Sequence, residues 1–221
     1  MIVSDSQKFV FIHNPKCAGT SIRYCLKFYE TMNSFFEGAK TIENEKVGLM
    51  HMPLWKLSSL FPNIFQSKLL GYYTFVTIRN PYTRTIAAFN SSSEKDFLNY
   101  KTSDNLEQYK SILNSFIENL NEKEIRNYEY NVRHFVPQID MVYLNDDKIP
   151  ETVLKVEDLP GAFNNILWMH PIIADRLINY TKKLNIRSIN GSYETILTKK
   201  SIQRINEVYK RDFEEFKYNT I

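Results

Sequence analysis

Two short segments carry residue types suited to holding anionic groups. The first, residues 11–21, reads FIHNPKCAGTS. An apolar run stops at Asn14-Pro15, and small residues with one glycine lead into a helical pattern. A strand–loop–helix of this kind presents unpaired backbone N–H groups and the positive end of the helix dipole, which suits a phosphate or sulfate. Glycine lets the backbone approach a ligand closely. Lys16 adds a full positive charge, and Thr20 and Ser21 add hydroxyl donors. The segment is not a Walker A loop, because its lysine precedes the glycine and no second glycine opens the loop. The plain alternative is an ordinary βα turn. The second segment, residues 75–89, reads FVTIRNPYTRTIAAF. Arg79 stands where a buried strand stops, at the edge where open α/β sheets hold ligands. A guanidinium there can grip a phosphate through two parallel hydrogen bonds. Arg84 falls in the following helix, where pairing with a structural acid such as Glu157 or Asp158 is the competing expectation.

The elements that must position these residues follow from periodicity. Lys8–His13 reads as a short buried strand, and Gly19–Tyr29 as a helix capped by Thr20 or Ser21, with Ile22, Cys25, Leu26 and Tyr29 on one face. Residues 31–50 read as irregular, and Pro53–Leu60 as a short helix. Tyr72–Ile78 is the clearest strand, β-branched and aromatic, and Pro81–Phe89 is the next helix. Leu106 to Leu120 is an amphipathic helix. Met141–Leu144 and Thr152–Val156 are short strand candidates. Ala162–Met169 and Ile172–Leu184 read as helices broken near Pro171. Ile202 to Phe216 reads as one last helix. Strands alternating with helices indicate an α/β fold with a mainly parallel sheet. The length of 221 residues suits a single domain, 1–221, with a sizeable core.

Composition removes other classes. The 28 basic and 25 acidic residues leave a net charge of +3, which argues against bulk nucleic-acid binding or a polybasic membrane anchor. No apolar run approaches about 18 residues, so a transmembrane helix is not expected, and the polar stretch Met1–Gln7 does not read as a signal peptide. The two cysteines, Cys17 and Cys25, exclude a disulfide framework and fit a reducing, cytoplasmic setting. The charge is uneven. Ser6–Tyr29 and Lys46–Ser93 contain no acid and together carry +9, while the rest of the chain carries −6. Local positive charge of that kind attracts a small polyanion.

Taken together, the two segments resemble those of the P-loop sulfotransferases, in particular the carbohydrate-type family (sulfotransferase family 2). In that family an element similar to FIHNPKCAGTSI cradles the 5′-phosphosulfate of 3′-phosphoadenosine 5′-phosphosulfate (PAPS), and one similar to TIRNPYTRTIAAF holds its 3′-phosphate. Weaker likenesses follow in order: HMPLWKL at 51–57, RHFVPQIDMVY at 133–143, VLKVEDL at 153–159 and INEVYKRDFEEF at 205–216. The resemblance implies a three-layer, P-loop NTPase-like α/β fold and transfer of a sulfuryl group from PAPS to an acceptor hydroxyl, on a carbohydrate, with adenosine 3′,5′-bisphosphate as product. It implies that Lys16 contacts the 5′-phosphosulfate, that Cys17, Ala18, Gly19, Thr20 and Ser21 complete the cradle, and that Arg79 binds the 3′-phosphate. The family places a serine eight positions after that arginine; here the position is Ala87, with Ser91, Ser92 or Ser93 as substitutes from the helix end.

In-line sulfuryl transfer calls for positioning and charge stabilisation. Lys16 is suited to the negative charge developing on the bridging oxygen, and no metal is expected. The acceptor hydroxyl must lose a proton, and histidine is the usual base. His51 is the candidate, because related enzymes place a catalytic residue in that region. His13 is the rival base, though at the end of the first strand it is expected to order the loop; His134 is expected to line a cleft and His170 to lie in a loop, and Glu30 and Glu43 are weaker candidate bases. Phe35, Phe36, Trp55 and Tyr100 could stack on a sugar or belong to the core. Two other readings stand beside this one: a nucleotide-binding, kinase-like P-loop protein, and a sulfotransferase homologue without activity.

Overall fold

The computed structural model describes residues 1–91, 106–168, 170–181 and 193–221. In chain order its elements are β1 (Ile2–Ser4), β2 (Phe9–Ile12), α1 (Gly19–Leu26), β3 (Ala39–Ile42), β4 (Glu45–Gly48), α2 (Leu54–Leu60), α3 (Pro62–Ile64), β5 (Tyr73–Ile78), α4 (Pro81–Phe89), α5 (Leu106–Glu118) and α6 (Glu122–Arg126). Then come β6 (Tyr143–Leu144), β7 (Asp147–Lys148), β8 (Thr152–Lys155), α7 (Pro171–Thr181), α8 (Lys199–Val208) and α9 (Lys210–Phe216), with short 3₁₀ segments between several of them. The chain divides into two units, Met1–Arg79 with Gln138–Ile186, and Asn80–Pro137 with Arg187–Ile221.

The first unit is built on a mostly parallel sheet of order β1-β2-β5-β8, flanked by helices. Strands β2, β5 and β8 run parallel, with Ile12 beside Val76 and Ile78 beside Lys155. Strand β2 is apolar and buried throughout, and five of the six residues of β5 are buried, as expected of strands covered on both faces. Phe9, Phe11 and Phe75 pack with Ile22, Cys25 and Leu26 of α1 and Ile173, Ala174 and Leu177 of α7. Each of these Phe, Ile and Leu side chains contributes about 1.5–3 kcal/mol on burial. The edge strand β1 lies antiparallel to β2, Ile2 opposite Phe11, so the polar-looking start of the chain joins the sheet.

Residues 31–50 are not irregular throughout. β3 and β4 pair as an antiparallel hairpin with Ile42 opposite Glu45. The two loop residues, Glu43 and Asn44, both take positive φ, the conformation whose twist matches a tight hairpin. The 3₁₀ segment Gly161–Ile166 precedes α7, which begins at Pro171, where the break was expected. Met169 and residues 182–184 of the two expected helices lie outside the described residues.

The second unit is helical. Tyr82, Ile86 and Phe89 of α4 share a core with Leu113 and Ile117 of α5 and with Ile205, Val208, Tyr209 and Phe213. Asn80 caps α4 by accepting from the Tyr82 N–H at 3.0 Å, and Pro81 occupies its first position. The expected last helix is two, α8 and α9, broken at Tyr209 with φ −111° and ψ 25°. Tyr209 is buried there, and its hydroxyl donates to the Phe135 carbonyl at 2.9 Å.

Candidate functional site

The first anion-binding segment leaves the carboxyl end of β2, and Arg79 leaves that of the adjacent parallel strand β5. Both belong to the first unit. In the loop, Lys16 and Ala18 are held at φ +62° and +60°, while Cys17 between them is not. Each left-handed non-glycine residue costs roughly 1–2 kcal/mol. Alternating-sign φ of this kind turns successive N–H groups toward one concave face, an anion-binding nest.

Ala18 is the N-cap of α1, in the left-handed conformation and without a side-chain cap. This replaces the cap expected from Thr20 or Ser21, which instead occupy the first turn, Thr20 exposed and Ser21 half-buried. The first helical bond runs from the Ile22 N–H to the Ala18 carbonyl at 3.2 Å. The N–H groups of Gly19, Thr20 and Ser21 therefore have no carbonyl within the helix to bond. No acid occupies the first turn. The residues present fit a phosphosulfate: a nest, a helix start of eight residues and a lysine in one loop.

Glycine at 19 has a reason that differs from the expected one. A Cβ there would lie 1.9 Å from His13 Cδ2 and 2.0 Å from His13 Nε2. The room left by the missing side chain is taken by the protein's own imidazole. His13 is buried, stacks on Phe11 with centroids 5.8 Å apart, and meets His51 edge to face at 4.4 Å. Burial, with the neighbouring His51, holds its pKa well below the ordinary histidine value, and its Nδ1 has no hydrogen-bond partner.

His51 is half-buried, between the β3–β4 hairpin and α2. Its Nδ1 lies 3.0 Å from the His13 carbonyl oxygen. A carbonyl only accepts, so Nδ1–H donates, and the neutral ring keeps its lone pair on Nε2. The buried Met52, Pro53 and Leu54 anchor the chain just after it.

Three side chains join the loop to the strand beside it. Thr77 Oγ1 donates to the Cys17 carbonyl at 2.6 Å, and Asn14 Nδ2 donates to the Thr77 carbonyl at 3.0 Å. Gln138, fully buried, accepts on Oε1 from the Arg79 N–H at 2.8 Å, from Asn14 Nδ2 at 3.2 Å and from Cys17 Sγ at 3.2 Å. Its Nε2 donates to the Arg79 carbonyl at 2.8 Å. The Arg79 guanidinium reaches the Lys16 carbonyl, Nη1 to oxygen 3.4 Å. Lys16, Cys17, Ala18, Gly19, Arg79, His13 and His51 are thus gathered in one unit. Sequence reasoning missed Asn14, Thr77 and Gln138 as the residues that gather them. The one signal for Gln138 was its place in RHFVPQIDMVY.

The remaining candidates lie elsewhere or do other work. Arg84 is fully buried in the second unit, donating to the carbonyls of Val136 and His134 and lying over the Tyr209 ring at 5.3 Å. Ala87 is half-buried on α4; Ser91 Oγ donates to the Ala88 carbonyl at 2.9 Å and sits 3.5 Å from His134 Nδ1. Ser92, Ser93 and Tyr100 lie outside the described residues. His170 packs between Phe9 and Tyr73, with its Nε2 against the Gln7 carbonyl. The Glu30 carboxylate accepts from the N–H groups of Met32 and Ser34 at 2.6 and 2.8 Å, and Glu43 is exposed at the hairpin tip. Phe36 is buried, and Phe35 packs on Phe36 and Phe61 under the Lys40 ammonium. Trp55 is half-buried.

A family model described as the sulfotransferase family matches residues 1–219. The chain belongs to that family, sulfotransferase family 2, and its class is that of a transferase of sulfuryl groups. No curated protein and no solved structure matches it. Among the described residues no helix is long and apolar enough to cross a membrane.

Proposed function

We propose that the protein transfers a sulfuryl group from PAPS to a hydroxyl of a carbohydrate acceptor, releasing adenosine 3′,5′-bisphosphate. One observation carries the reading: the Lys16 loop and Arg79 emerge from adjacent parallel strands and touch. Two positive groups, each on an irregular segment at a strand end, suit a nucleotide with anionic groups at both ends. The family supports sulfuryl transfer; the donor, the acceptor and the roles below are our assignment. With it goes a single P-loop NTPase-like domain over 1–221, acting in the cytoplasm without metal or nucleic acid.

Bound in this loop, the donor supplies a sulfuryl group on a phosphate leaving group. Ala18 and Gly19 offer backbone N–H groups to it, Thr20 and Ser21 offer hydroxyls, and Cys17 holds the loop by its thiol and carbonyl. Lys16 stabilises the negative charge that grows on the bridging oxygen. Arg79 holds the 3′-phosphate and so fixes the donor along its length. His51 Nε2 takes the acceptor proton, its ring oriented by the Nδ1–H bond to the His13 carbonyl.

Thermal denaturation tests the donor assignment. Adenosine 3′,5′-bisphosphate should stabilise the protein by about 2.7 kcal/mol at a hundredfold excess over its Kd, with no shift from ATP–Mg²⁺. Stabilisation by ATP–Mg²⁺ alone would replace this reading with a kinase-like one.

A further inference from the structure

We propose that Gln138 is a positioning residue that sets the spacing between the two phosphate-binding elements, and thereby makes the protein sense the 3′-phosphate. The inference rests on the donor reading above and adds a residue that reading does not need.

The β5–β8 ladder ends at Ile78 opposite Lys155. One residue further on, both backbone groups of Arg79 are taken by the Gln138 side chain, N–H to Oε1 and Nε2 to carbonyl, each at 2.8 Å. A single side chain continues the ladder by the residue that carries the guanidinium. The same Oε1 also receives Asn14 Nδ2 and the Cys17 thiol from the loop that follows β2. The Arg79 and Asn14 N–H groups fill the two lone pairs of that oxygen, and the Cys17 thiol, whose single proton also has the Pro15 carbonyl within reach at 3.3 Å, is a third and weaker neighbour. A primary amide combines this acceptor with a donor on one rigid plane; no apolar or hydroxyl side chain of similar length does.

The position in the chain reinforces the point. The chain leaves the first unit after Arg79 and returns to it at Gln138. The amide therefore ties together the exit, the return and the nucleotide loop, at a site with no exposure to solvent. Loss of the amide leaves the Arg79 charge in place but frees its backbone from the Lys16 loop. The 3′-phosphate contribution to binding then falls while the charge inventory is unchanged.

The test is titration calorimetry on the full chain, with adenosine 3′,5′-bisphosphate and adenosine 5′-phosphate as the two ligands. The wild type should prefer the bisphosphate at least about tenfold. Gln138→Met should lower that preference about tenfold, toward unity. A side chain that only supports the fold would weaken both ligands alike and leave the ratio untouched. If Gln138→Met does not fold, Gln138→Asn decides. It keeps the amide and the charge inventory but is one methylene too short to hold both Arg79 backbone groups, and it should lower the ratio as well. A wild-type ratio with an unchanged value in a folded variant overturns the role of Gln138 and leaves the donor reading intact. A wild-type preference near unity overturns the donor reading, and this inference with it.

Discussion

His13 and His51 stand edge to face, yet their surroundings assign them different work. His13 is sealed between Phe11, Gly19 and His51, and burial keeps it neutral. His51 is half-buried with its Nδ1–H committed, leaving Nε2 as its basic atom. His51→Ala leaves the residues of the nucleotide loop in place, and His13 keeps its stacking on Phe11, so affinity for adenosine 3′,5′-bisphosphate should stay within about threefold of wild type. Turnover should fall at least about a hundredfold, the usual worth of a general base. Unchanged turnover would remove His51 from the chemistry. Lys16 and Arg79 were legible from residue type and from their place after strand-like runs. Gln138 was not, because an uncharged amide in an apolar stretch gives no chemical signal. Its meaning arises only when the fold brings it to Arg79, 59 residues earlier, and to Asn14, 124 residues earlier.

At the scale of elements, the turn from β2 into α1 depends on a fit between a glycine and an imidazole. Gly19→Ala places a methyl within 2.0 Å of the His13 ring, which Phe11 and His51 prevent from moving freely. Overpacking of this kind costs about 1–3 kcal/mol, and urea denaturation should show a loss of that size. Stability within about 0.5 kcal/mol of wild type would mean that the His13 packing is wrong. Strands β2 and β5 and helix α4 were readable because β-branched and aromatic runs stop at Asn-Pro pairs. The β3–β4 hairpin was not: its short strands mix Lys40, Thr41, Glu45 and Lys46 with few apolar residues, and its tight turn uses Glu43-Asn44 rather than glycine. The break at Tyr209 was hidden for the opposite reason. Ile205, Val208, Tyr209, Phe213 and Phe216 keep a helical apolar spacing through it, so the stripe records no kink.

For the molecule as a whole, the two stretches that lack acids in sequence do not lack them in space. Arg23 pairs with Glu37, Lys56 with Glu45 and Lys68 with Asp5, all acids from outside those stretches. Arg84 is interior, bonded to carbonyls. The +9 is therefore a poor measure of the field, and the charges assigned to a small polyanion are those of Lys16 and Arg79, whose guanidinium reaches the Lys16 carbonyl. The most direct measurement is transfer of labelled sulfuryl groups from PAPS to a pool of oligosaccharides, comparing wild type with Lys16→Ala. Labelled sugar is expected with the wild type and at least about a hundredfold less with the variant. Equal rates for the two proteins, or no transfer by the wild type, would contradict this assignment.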